Sequence, residues 1–99
     1  MKCLTYHPAA WAELEAEISL CEAECRGAGS HVRADIADTL ALVREFPVIG
    51  RHDAGAGQRI VTRSYRYVIH YQLLADEIVV WEVADPSREP GYWQSRRPP

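Results

Sequence analysis

Apolar positions recur along the chain with two different periods, and the change of period divides it into two parts. Trp11, Leu14, Ile18, Cys21 and Cys25 follow one another at steps of three, four, three and four, which is one apolar stripe on an α-helix. Glu13, Glu17 and Glu24 turn away from that stripe. Proline costs nothing at a first helical position, where its N–H would have no partner, so this helix starts at Pro8 after a short strand, "KCLTY", over residues 2–6. "RGAGS" closes it, with Gly27 or Gly29 able to take the left-handed cap conformation. A second stripe of Val32, Ile36, Leu40 and Val43, widened by Leu42 and Phe46, predicts a helix from an N-cap at Ser30 to about Glu45. Pro47 disfavours helical geometry at Phe46 and stops it there. So short a loop between two amphipathic helices makes an antiparallel helical hairpin.

Beyond Pro47 the pattern changes. "VIGRHDAGAGQ" reads as a loop. "RIVTRSYRYVIHYQLL" and "EIVVWEVA" are rich in β-branched and aromatic residues and read as strands. The first is long enough for two strands meeting near Arg63–Arg66, and Asp76 marks the next turn. The last is apolar on both faces apart from Glu82, the pattern of a central strand. The expected fold is α+β in the order β-α-α-β-β-β, a helical hairpin packed on one face of a small, mostly antiparallel sheet.

With 99 residues the chain is expected to form one domain over 1–99, ending in a turn-rich C-terminal tail over 86–99. A chain of this size buries roughly 60–65% of the surface its unfolded form exposes. Its three cysteines have no framework spacing, its start lacks the apolar core of a secretory leader, and its apolar runs are too short to span a membrane. A cytoplasmic protein with free thiols and no membrane attachment is the expectation.

Charge changes the picture more than composition does. The net charge is −3, yet ten of the eleven bases are arginines, and seven of those lie in residues 46–99 against six acids. Arginine suits planar, bidentate or stacked contacts, whereas lysine is a solvated point charge. Specific arginine contacts in the second half are therefore expected, and general polyanion binding is not.

Candidate chemistry is sparse. Cys21 and Cys25 stand one helical turn apart, but on an apolar stripe they read as small hydrophobes, with no histidine at zinc spacing. "GRHDAGAGQR" has glycines but lacks the Lys-Ser/Thr ending of a phosphate loop. The four histidines are scattered, and no Ser or Cys nucleophile has evident partners; His70 reads as a half-buried strand residue. No metal and no cofactor are expected. The strongest collection is Arg59, Arg63, Tyr65, Arg66, Tyr67 and Tyr71, then Arg88, Tyr92, Trp93, Arg96 and Arg97. Such residues can stack bases and pair phosphates, or grip a protein; equally, the tyrosines can pack under the helices with the arginines in solvent.

In order and spacing, "YHPAAWAELEAEI", "FPVIGR", Gly57-x-Arg59 with "SYRYVIHY", and "VADPSREPGYW" resemble the RelE/ParE toxin superfamily, most closely its ParE-like plasmid stabilization branch. The resemblance covers nearly the whole chain. It implies the toxin of a type II toxin–antitoxin pair, bound in a hetero-oligomer by a cognate antitoxin. ParE members act on DNA gyrase; RelE members cut mRNA in the ribosome. RelE-type chemistry uses Lys, Arg and a C-terminal Tyr, and this chain has Lys2 as its single lysine. Asp85, Pro86, Ser87, Arg88 and Glu89 stand where many relatives carry His-Gln-Arg-Arg-Arg. Acids beside a scissile phosphate oppose its binding and its transition state. The resemblance therefore implies a non-enzymatic, gyrase-directed toxin with Arg59, Arg63, Tyr65, Arg88, Tyr92 and Trp93 as target-binding residues. Trp11, Leu14, Ile18, Ile36, Leu40 and Arg59 are the antitoxin-binding candidates, the helical stripe as core under exposed neighbours. The alternatives are a ribosome-dependent endoribonuclease using Arg63, His70, Arg88 and Tyr92, or a degenerate toxin retained as an antitoxin-binding partner.

Overall fold

The computed structural model describes residues 3–52 and 57–85. In chain order these form β1 (Cys3–Tyr6), α1 (Pro8–Glu24), α2 (Ala28–Glu45), β2 (Arg51–His52), β3 (Gln58–Val61), β4 (Val68–Leu73) and β5 (Glu77–Ala84). The order is the expected α+β one, with a further two-residue strand, β2, inside the segment read as a loop. The sheet runs β1-β5-β4-β3-β2, with β1 parallel to β5 and every other pair antiparallel. The tail expected over 86–99 lies outside the described residues.

Both helices begin where local chemistry allows. His7 caps α1 through Nδ1, which accepts the Ala9 N–H at 3.1 Å, and Pro8 occupies the first turn. The second helix starts earlier than its sequence signal suggests. Its N-cap is Gly27 at φ +90, a left-handed conformation that glycine takes without Cβ strain, and Ser30 lies within the first turn, donating to the Gly27 carbonyl at 2.9 Å. No capping side chain on α2 itself was needed, because Glu22 of α1 accepts the N–H groups of Gly27 and Gly29 at 3.1 and 3.0 Å. A carboxylate at a helix N-terminus also complements the helix dipole.

The core lies between the helices and one face of the sheet. Leu14, Val32, Ile36 and Leu40 pack on Tyr67, Ile69, Val80 and Val83, and Val43 packs on Tyr71 and Ile78. Four positions depart from the expected stripes: Trp11 is 48% exposed, Phe46 is 53% exposed, and Leu42 and Cys25 are exposed. Ala10 takes the buried position beside Leu14 instead, and Trp11 stacks outside on Tyr6 with ring centroids 5.1 Å apart. Seventeen residues of α1 need only a narrow apolar contact, so the edges of its stripe fall at the solvent boundary.

The last strand is interior as expected, paired by β1 on one side and β4 on the other. Its apolar run on both faces has a cause in a β-bulge: His70 pairs with Glu82 and Tyr71 with Val80, leaving Trp81 as the extra residue. Val80 and Val83 thereby both face the helices, while Trp81 clusters with Val79 away from them.

Candidate functional site

Strand alternation decides where the arginines point. Ile60 pairs with Ile69 and packs toward the helices, so Arg59, opposite His70, lies on the sheet face away from them. Arg51 pairs with Arg59 on β2. A cross-strand row of Arg51, Arg59, His70 and Glu82 thus crosses four strands on the face away from the helices. Two guanidinium groups directly opposite repel each other, a destabilising arrangement within a sheet.

His70 is not the half-buried residue expected. It is buried, and its Nδ1 meets Glu82 Oε1 in a short contact, with Glu82 itself buried. A polar side chain taken out of water needs such a partner. A base already committed to a buried carboxylate is poorly placed to receive a proton from an RNA hydroxyl in solvent.

Arg63 and Tyr65 are placed elsewhere. Both lie exposed on the turn joining β3 to β4, where they line a groove of about 820 Å³ with His31, Asp38 and Leu42 of α2. The turn is pinned from below. Thr62 donates its N–H to the Tyr67 carbonyl at 2.9 Å, and its Oγ1 accepts the Tyr67 N–H at 3.0 Å. The buried Asp35 carboxylate accepts the Ser64 and Tyr65 N–H groups at 3.1 and 2.9 Å. Burial by itself would raise the Asp35 pKa, but hydrogen bonds from the Thr62 hydroxyl, the Tyr65 and Ser64 N–H groups and the Ser64 hydroxyl outweigh it and lower it. These bonds hold the chain through Arg66, which adopts a positive φ of 64.

The structure therefore brings Arg63 and Tyr65 together and sets Arg59 on a different face. Neither arginine has an ion-pair partner among the described residues, in contrast to Arg33, which pairs with Glu15 at 3.2 Å across the helical hairpin. Tyr67 and Tyr71 are core. The Tyr67 hydroxyl donates to Glu17 at 3.1 Å beside Cys21, and burial, those two neighbours and their hydrogen bonds push its pKa far up. The Tyr71 hydroxyl donates to the Pro47 carbonyl and accepts the Gly50 N–H, both at 2.9 Å. A Cβ at Gly50 would strike the Tyr71 ring, so glycine there is a requirement of close approach. Of the antitoxin-binding candidates, Leu14, Ile36 and Leu40 are buried, Ile18 and Arg59 are partly buried, and Trp11 is exposed. Arg88, Tyr92 and Trp93 lie outside the described residues.

Asp35, Glu22 and Glu82 were not singled out from sequence as functional or structural keys. Asp35 and Thr39 fall at helical spacing within the buried stripe of α2, and Glu82 interrupts an apolar strand. A polar residue at a core position was the available signal in both cases. Among the described residues no group of three or more metal-ligating side chains occurs, and no helix is long and apolar enough to cross a membrane.

No family model and no curated protein matches the chain. Among solved structures, it is similar to a chain from the chromosomal ParDE TA system from P. aeruginosa, with a TM-score of 0.63 and 13% sequence identity, over 86% of this chain and 96% of that one. The fold is thus the RelE/ParE-like one that the sequence motifs imply.

Proposed function

We propose that the chain is the toxin of a type II toxin–antitoxin pair, held inactive by a cognate antitoxin, and that it acts by binding DNA gyrase. The observation that carries this reading is the near-complete overlap with a ParDE-system chain, which spans 96% of that chain. The motif order from Tyr6 to Trp93 supports the same conclusion from the sequence side. The groove between α2 and the β3–β4 turn suits a partner segment, because it offers Arg63 and Tyr65 beside the apolar Leu42 on a pinned frame. Arginine and tyrosine are over-represented among interface hot spots. Burial of His70 against Glu82 favours binding over RNA cleavage, since it removes the imidazole from the exposed surface. Expression without the antitoxin tests the reading. DNA synthesis should stop before protein synthesis, and co-expression of the adjacent short reading frame should restore growth. Arrest of protein synthesis first, with discrete cuts in translated mRNA, would instead support the ribonuclease reading. Continued growth, with the pair still forming, would support a toxin that has lost its activity.

A further inference from the structure

A second groove lies over β1, β5 and β4, and Trp81, the bulged residue of β5, is part of its wall. It has a volume of about 440 Å³ and is lined by Thr5 and His7 at the β1 end, Gln72 of β4, and Glu77, Val79 and Trp81 of β5. We propose that this groove is a docking site for an arginine side chain presented by a protein partner. Its chemistry is that of a cation receptor. Glu77 is the one formally charged side chain among its described lining residues. The Thr5 hydroxyl donates to Glu77 Oε2 at 3.0 Å, which orients the carboxylate, and Oε1 takes no hydrogen bond among the described residues.

The rest of the lining fits the stem and plane of a guanidinium-bearing chain. His7 turns its Nδ1 to the Ala9 N–H, which it accepts at 3.1 Å. Its ring stands 5.6 Å from that of Trp81, and Val79 and Trp81 form an apolar cluster distinct from the helix-facing core. Trp81 is fixed by donation of its Nε1–H to Gln72 Oε1 at 3.1 Å. An arginine can lay its methylenes along the apolar edge of the groove while its planar head bonds the Glu77 carboxylate. Asp76, next to Glu77 in the chain, is exposed and adds a second negative charge to this turn. This inference does not rest on the toxin reading and concerns a different face from the Arg63 groove.

Titration of the full-length ¹⁵N-labelled chain with N-acetyl-L-arginine amide, followed by amide and indole NMR, tests it. Saturable shifts are expected at Thr5, Glu77 and the Trp81 indole. Glu77→Gln should weaken binding about tenfold, as loss of a charge-assisted hydrogen bond does, with a spectrum otherwise unchanged. On the wild-type chain the uncharged isostere N-acetyl-L-citrulline amide should bind about as weakly, an arm that does not depend on the variant. Equal binding of arginine and citrulline probes, unchanged binding by Glu77→Gln, or shifts that never saturate or fall outside the groove would overturn the proposal.

Discussion

Asp35 on α2 holds the main chain of Tyr65: its Oδ2 accepts the Tyr65 N–H at 2.9 Å, thirty residues further along the sequence. Through this bond and its companion to Ser64, the helix sets the geometry of the turn that presents Arg63. Asp35→Ala should destabilise the fold by about 1.5–3 kcal/mol, the range for hydrogen bonds to a charged group. Chemical denaturation measures it, and Asp35→Asn should retain part of the loss-free stability because its amide oxygen still accepts one N–H.

The same carboxylate has a pH signature. Its folded pKa is lowered from 3.8, so its contribution is present above that value and disappears as pH falls through the folded one. Acid denaturation of the wild type should therefore include a loss of stability below about pH 4 that Asp35→Asn lacks. Identical acid limbs for the two proteins would show that Asp35 is not ionised against the turn.

Tyrosines give the opposite sign. Tyr6, Tyr67 and Tyr71 all have pKa values raised above 10.0, first because burial disfavours the phenolate. Their contribution is complete below the unfolded value and is lost as pH rises above it. Stability should decline beyond about pH 10, and Tyr67→Phe should make that decline shallower, as read from melting temperatures across the alkaline range.

His70 and Glu82 form a buried pair on adjacent strands. Removing one partner leaves the other buried and under-satisfied, so His70→Ala or Glu82→Ala should each cost about 3 kcal/mol. A double replacement by well-packed apolar residues should be much milder than the two single costs summed. A double-mutant cycle in denaturant measures the coupling directly.

Two prolines at helix boundaries and the two hydrophobic periods made most of the fold legible in the sequence. Pro8 and Pro47 mark real boundaries because ring geometry acts locally, whatever the tertiary context. Ser30 misled because the cap of α2 comes from Glu22 on the other helix, a contact that only the folded hairpin creates. Trp11 misled because its spacing fits the stripe, whereas the packing of Ala10 and Leu14 turns the indole outward onto Tyr6. Alternation along β5 was hidden by the bulge at Trp81, which changes the facing of every residue after it. For the candidate site, residue type was informative and placement was not: Arg59 and Arg63 are near in sequence, yet a strand end and a turn send them to separate faces.

Partner binding should depend on exposed residues whose loss the fold tolerates. Arg63→Ala and Tyr65→Ala should change the melting temperature little, since surface substitutions usually stay within about 0.5 kcal/mol. Each should weaken binding of the proposed cognate antitoxin by about tenfold or more, the scale of an interface hot spot. Isothermal titration with that antitoxin measures the loss.

Gyrase supercoiling in the presence of the purified, antitoxin-free chain decides whether this surface serves a toxin that works by binding. At micromolar protein, supercoiling should fall or cleaved DNA should accumulate, equimolar antitoxin should restore activity, and Arg63→Ala should require markedly more protein for the same effect. Unimpaired supercoiling by a folded chain that still binds its antitoxin would contradict the account.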